Sequence, residues 1–279
     1  MAFTCIVALS CGRKDRTPTG RAARIVSLSP NTTETLFAIG AGARVVGRSR
    51  FCDYPPEVSK LPSVGGYVDA SLEAIVALAP DLVVGARGPA GPTLVEKLGA
   101  LGIDTFFPPT ESMAEIDDMI EKLGEKVGAR ESALGVVAQT RARRDAVSRA
   151  VATEPRVGVL LVFGLSPIVV AGPASFPNEM IELANGHNVV ETGSSYPTLA
   201  VERLVALRPD VVINAGMLGT KEDQGSGIHA EDPGWRELAA VREGRVMAIR
   251  DEAVLRPGPR IGDGLAVIAR ALHPRASVP

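Results

Sequence analysis

The sequence predicts an α/β protein built of two similar lobes, one on each side of a single long helix. Three observations predict it. From residue 24 onward, short β-branched runs alternate with helical stretches, the pattern of α/β units with largely parallel sheets. The segment LEAIVALAPDLVV at residues 72–84 returns as VERLVALRPDVVI at residues 201–213, with seven of 13 positions identical at a constant offset of 129. Such a period is far too long for a solenoid and marks two equivalent units. Between the copies, residues 129–152 contain no Pro and one Gly, Gly135, and are dense in Ala, Glu, Gln and Arg. As one helix they would run roughly 35 Å, enough to span a small two-lobed protein. One large barrel is the other architecture that 279 residues allow.

Taken in order, residues 1–9 form an uncharged apolar run, and the motif Ala8-Leu9-Ser10-Cys11-Gly12 follows at its end. This resembles a bacterial lipoprotein signal, in which small residues precede a cysteine that becomes the lipidated N-terminus. The expected location is therefore periplasmic or cell-surface, with a lipid anchor at Cys11. Residues 12–23, rich in Arg, Lys, Thr, Pro and Gly, read as a solvated tether. The predicted organisation is a signal-like segment and tether at 1–23, an N-terminal lobe at 24–125, a bridging helix at 126–153 and a C-terminal lobe at 154–279. Strands are expected at residues 24–28, 45–47, 82–84 and 103–107 in the first half, and at 156–163, 168–170, 211–214 and 245–249 in the second. Helix starts are signalled by Asn31/Thr32 before a run that stops at Gly40, by Ser71, and by Ser112-Met113-Ala114-Glu115, which has the spacing of a capping box. In both repeats, Pro and Asp end a short amphipathic helix and lead into a buried strand.

Composition narrows the function. With 46% hydrophobic and 22% charged residues, the chain can bury a sizeable core. Thirty basic against 32 acidic residues give a net charge of −2, so nothing in the overall field favours nucleic acid or an anionic membrane. Past the N-terminal segment, no run approaches the ~18 apolar residues of a membrane helix. Cys5, Cys11 and Cys52 make no disulfide framework and no zinc spacing, and His187, His229 and His273 lie far apart and read as surface or loop residues, so no metal site is expected. Gly40-Ala41-Gly42 follows a helical pattern and lacks the third glycine of a dinucleotide loop; no nucleophile elbow or Walker loop is present. A two-lobed transferase is the enzyme alternative to a non-enzymatic binding protein that needs no cofactor.

Arg24-Ile25-Val26-Ser27-Leu28-Ser29-Pro30, Asp53-Tyr54-Pro55-Pro56, the repeated segment, Val162-Phe163-Gly164, and Leu255-Arg256-Pro257-Gly258-Pro259-Arg260 resemble the cobalamin-binding proteins of bacterial ABC importers, over residues 24–274. The wider group serves cobalamin, haem and ferric siderophores. This resemblance implies two Rossmann-like lobes bridged by one long helix, a ligand in the cleft between them, little hinge motion, and a permease dimer with its ATPase as partner for a monomeric binding protein. Cobalamin or a related corrinoid is the first expected ligand, with haem or a siderophore as alternatives. A tethered receptor or sensor module is a further reading of the same lobes.

Carried over position by position, the resemblance places Phe51, Tyr67 and Tyr196 on the cleft, with Phe163 and the Glu252–Leu255 loop as further ligand-binding candidates. A flat corrin face calls for wide aromatic contact with few buried charges. Tyr67 and Tyr196 are related by the repeat offset and are two of only three tyrosines. They stand where tryptophan occurs in the family pattern, and Ala86 replaces another. Tyr67 is also the candidate axial ligand if the cargo is haem. For an anionic siderophore, Arg48, Arg50, Arg87 and Arg256 could supply charge, whereas Tyr54 is expected to pack locally. Glu73 and Glu202, second residues of the two repeated helices, are implied to dock on arginines of the permease.

Overall fold

The structure is a computed structural model that describes residues 22–66, 68–87, 91–216, 227–229 and 231–279. Cys11 lies outside the described residues. The first sheet contains β1 (Ile25–Ser27), β2 (Val45–Arg48), β3 (Leu82–Val84) and β4 (Asp104–Phe106) in the order β2-β1-β3-β4, all parallel. Its connections carry α1 (Pro30–Ala38), α2 (Leu72–Ala77) and α3 (Gly91–Ala100). Next come α4 (Met113–Lys126) and α5 (Arg130–Val151). The second sheet is formed by β5 (Val157–Leu165), β6 (Ile168–Val170), β7 (Gly186–Asn188), β8 (Thr198–Leu199), β9 (Val211–Asn214) and β10 (Val246–Ala248). Its order is β10-β9-β5-β6-β8, with β7 also paired to β5. The remaining helices are α6 (Phe176–Leu183), α7 (Val201–Ala206), α8 (Ala239–Arg242) and α9 (Ile261–Leu272).

Both lobes are thus α/β, as expected, and every expected strand is present. The short β7 and β8 carried no sequence signal, and β6 and β8 add antiparallel pairs to the second sheet. The central strands are buried on both faces, the condition that near-continuous apolar runs reflect. Successive residues feed different cores with period two. Leu82 and Val84 enter the core shared with α1 and α4, while Val83 joins Val26, Ile75 and Leu98 on the opposite face. In β5, Val159 and Leu161 enter the shared core, and Leu160 and Val162 pack with Leu204 and Trp235 on the far side.

Helix α5 is 22 residues long, about 33 Å of axis, and separates the two sheets in sequence. A short turn after Lys126 divides it from α4. The two helices approach closely at Gly124, where a Cβ would stand 2.3 Å from that of Ala133, so only glycine fits. Arg144 and Arg141 of α5 each donate to Asp117 of α4 at 2.7 Å. The shared core runs on from α1 and α4 through Val137, Val147 and Val151 of α5 to α6 and α9. The lobes are therefore joined by a layer of helices with a common apolar interior, not by α5 alone.

Ser71 and Ser112 cap α2 and α4, accepting from the Ala74 and Glu115 amides at 3.2 and 3.1 Å. Glu115 returns its carboxylate to the Glu111 amide at 2.8 Å, one residue earlier than a capping box would have it. Helix α1 begins at Pro30, with Ser29 at the cap position, so Asn31 and Thr32 fall inside the first turn, because Pro is pre-set for that position. His273, expected at the surface, is buried, with Nε2 2.9 Å from the Ala184 carbonyl oxygen at the end of α9. It closes the last turn against α6. The repeat is reproduced in three dimensions: α2 and α7 occupy identical spans at the 129-residue offset, each anchored by one fully buried residue, Ile75 and Leu204.

Candidate functional site

In open parallel sheets the functional crevice lies beyond the carboxyl ends of the strands, where connections leave in opposite directions. The loops in that position are those after β2 (Ser49 to Asp53), β4 (Phe107 to Ser112), β5 and β10 (Ile249 to Leu255), and the residues preceding β8 lie beside them. Phe51, Tyr196 and the Glu252–Leu255 loop are on these segments, and Phe163 lies within β5, two residues before its end.

On the first lobe, Ser49 and Cys52 are buried and fix the loop, while Phe51 between them is turned outward and 42% exposed. The Arg50 guanidinium lies 5.8 Å from the centre of the Phe51 ring and donates to Asp69 at 2.6 Å. The hydrogen bond from Arg50 holds the Asp69 carboxyl below its ordinary value. The Gly66 amide donates to the same carboxylate at 2.9 Å. A Cβ on Gly66 would meet Asp69 Oδ1, Arg50 Nη1 and Phe51 Cε2 at 2.7, 2.8 and 2.9 Å, so a larger residue would push these side-chain ends apart. Tyr67, the next residue, lies outside the described residues.

On the second lobe, Tyr196 is 38% exposed and meets Phe163 edge to face, with ring centroids 5.6 Å apart. Phe163 is half-buried against the shared core, so it is both a packing residue and the support of Tyr196. The Tyr196 hydroxyl hydrogen-bonds to Glu111, on the loop after β4. Burial pushes the Glu111 carboxyl up, against the lowering effect of that hydrogen bond. Glu111 was not foreseen, for its partner is 85 residues away in sequence.

The Glu252–Leu255 loop is tied to the first lobe. Arg256, buried, donates through Nη1 to Glu34 of α1 at 2.9 Å and to Asp53 at 2.7 Å, and its Nη2 pairs with Glu252. Arg260 grips both oxygens of Glu34 at 2.8 and 2.7 Å, and its guanidinium sits 4.1 Å from the centre of the Tyr54 ring. Asn31 adds a hydrogen bond to the Pro257 carbonyl at 3.3 Å. Desolvation raises the Asp53 carboxyl, but the hydrogen bond and charge of Arg256 outweigh it and hold the group below its ordinary value. Glu252 moves the other way: desolvation raises it, Arg256 opposes, and the neighbouring Asp53 charge adds to the rise. Leu255 is half-buried against the shared core.

Two expectations are corrected here. Arg256 is not a cleft cation for an anionic chelate, because it is buried and shared among three carboxylates. Tyr54 does not pack beneath its own loop; it is 44% exposed and stacks with Arg260 of the other lobe. Of the other candidate arginines, Arg50 is held by Asp69, and Arg48 donates to the Ser49 and Ser59 carbonyls at 3.0 and 3.2 Å. Arg87 lines a cavity of about 630 Å³ with Gly91, Pro92, Val95, Thr105 and Phe107, at the ends of β3 and β4. Glu73 and Glu202 are both exposed in the first turns of α2 and α7.

A cobalamin-binding protein of Halobacterium salinarum is 32% identical over 258 residues, covering 90% of this chain and 69% of that one. The periplasmic vitamin B12 binding protein of Vibrio cholerae superimposes with a TM-score of 0.77 at 26% identity, over 90% of this chain and 96% of the other. The periplasmic heme-binding protein of Roseiflexus sp. RS-1, in its apo form, gives a TM-score of 0.80 at 28% identity, over 91% and 98%. The family model for periplasmic binding proteins matches residues 25–253, and this chain belongs to that family.

Proposed function

We propose that this protein is the substrate-binding component of an ABC importer, which captures cobalamin or a related corrinoid between its lobes and delivers it to a membrane permease. The observation that carries this reading is the outward-facing aromatic set at the strand ends, Phe51 on one lobe and Tyr196 backed by Phe163 on the other. A planar ring with an apolar face is held by wide aromatic contact. The cobalamin-binding relatives support the choice of ligand. So does the engagement of Arg50 by Asp69 and of Arg256 by three carboxylates, partners that an anionic chelate would have to displace. Haem is the second reading, favoured by the superposition on a heme-binding protein, with Tyr67 as the axial ligand. Binding without turnover, as a monomer, is part of the proposal, as is an extracytoplasmic location with a lipid anchor at Cys11.

Glu73 and Glu202 are proposed as the docking posts for the permease. Their equivalent places on two repeat-related helices suit a partner with twofold symmetry, where charge complementarity fixes register and speeds encounter. The test of the ligand is isothermal calorimetry of the purified protein against cyanocobalamin, cobinamide, haemin and a ferric hydroxamate. The corrinoids are expected to bind. Binding of haemin or the hydroxamate with no corrinoid signal would overturn the reading.

A further inference from the structure

Helix α5 and the shared core join the lobes, and at the strand ends further contacts cross between them: Tyr196 with Glu111, Tyr54 with Arg260, and a cluster of charges around Arg256. Glu34 is buried in α1 of the first lobe with its side chain 1% exposed, and both its oxygens are taken by arginines of the second lobe. Arg256, 9% exposed at its side chain, is the centre of the arrangement, since among the described residues it alone touches Glu34, Asp53 and Glu252. Asp53 is two residues from Phe51, on one wall of the cleft, and Arg256 directly follows Leu255 on the other.

We propose that Arg256 is a positioning residue for ligand capture: by pairing with Glu34 and Asp53 across the lobes, it fixes the spacing of the cleft walls without touching the ligand. The inference rests on the cleft-binding reading for its effect on affinity. A guanidinium suits this place because its planar fork presents several donors at once, which the point charge of lysine does not. Without Arg256, buried Glu34 keeps Arg260 as its counter-charge but loses part of its pairing, and the half-exposed carboxylates of Asp53 and Glu252 face each other without the cation between them, so the two walls move apart. Arg260 would still hold Glu34 and sit against Tyr54, but the cation that draws Asp53 and Glu252 together across the lobes would be gone.

The test combines two readouts. Spin labels are placed on cysteines introduced at Lys60 and Glu237, exposed residues on different lobes, in full-length protein carrying Cys5→Ser and Cys11→Ser. Pulsed electron resonance measures the inter-lobe distance, and calorimetry with cyanocobalamin measures affinity. For Arg256→Met we expect the ligand-free distance to lengthen or broaden by about 3 Å or more, a hinge-type displacement. Affinity should fall about tenfold or more, and saturating ligand should restore the wild-type distance. Arg256→Lys should recover only part of both. Should Arg256→Met not fold, Asp53→Asn removes the charge that pairs with Arg256 across the lobes while leaving the buried Glu34 pairs in place, and is expected to give the same two changes in smaller degree. A weaker affinity with an unchanged distance would mean that Arg256 meets the ligand directly, and unchanged values of both in a folded variant would mean that the tie does not set the cleft; either result overturns the proposal. If wild-type protein bound no corrinoid, the ligand reading would fail while the distance measurement still decided the role of Arg256.

Discussion

Replacing Tyr196 with alanine separates ligand contact from packing. Tyr196 is 38% exposed, and a tyrosine presents on the order of 200 Å² of surface, so about 80 Å² of the residue is available to a ligand. At about 25 cal/mol per Å², covering that surface contributes about 2 kcal/mol, or roughly thirtyfold in dissociation constant. The edge-to-face contact with Phe163 is also lost, a stability cost of about 0.5–1.5 kcal/mol. Calorimetry with cyanocobalamin beside a denaturant titration reads both quantities on one preparation. Tyr196→Phe keeps the ring and loses only the hydrogen bond to Glu111, so its affinity should stay within a few-fold of wild type. The reasoning fails if folded Tyr196→Ala binds with wild-type affinity, or if Tyr196→Phe loses as much as the alanine variant.

Glu73→Ala and Glu202→Ala should leave ligand affinity nearly unchanged while impairing uptake and stimulation of the transporter ATPase, the double variant most; normal uptake would refute docking, and a large loss of affinity would put these glutamates in the cleft. Ile75→Ala and Leu204→Ala delete equivalent buried anchors and should each cost about 2–5 kcal/mol in denaturant unfolding, whereas a cost below 1 kcal/mol at either would show that the two helices are not equally packed. For Glu111, burial raises the folded carboxyl above its ordinary value, so the native state holds the proton more tightly than the unfolded chain. The stability it contributes is complete below the unfolded value and is lost as pH rises through the raised one. Glu111→Gln should therefore match wild type in melting temperature near pH 4 and gain on it toward pH 7; a pH-independent difference would contradict this.

The fold was legible wherever the signal was local or repeated. The paired segments at residues 72–84 and 201–213 needed only comparison of the chain with itself, and the absence of Pro over residues 129–152 marked α5 directly. Ser71 and Ser112 announced their helices because a cap acts over three residues. The candidate site was legible in its aromatics, which are scarce in this chain, with one Trp, three Tyr and seven Phe. It was not legible in its charges. Arg256 and Glu34 are 222 residues apart and look alike, in sequence, to any exposed Arg and Glu. The same holds for Tyr196 with Glu111 and for Tyr54 with Arg260. The motifs containing Asp53 and Arg256 were both visible, but no spacing rule joins two loops that meet only once the lobes have closed on a common core.

The central claim is that a corrinoid is held between the lobes at the strand ends, and hydrogen exchange with and without cyanocobalamin tests it most directly. Amides in mobile, solvent-open loops exchange quickly and slow when a ligand covers them. Protection is predicted around Phe51, around Tyr196 and along the Glu252–Leu255 loop, on both lobes at once, with α2 and α7 unchanged. Protection confined to one lobe, or centred on α2 and α7, would contradict it.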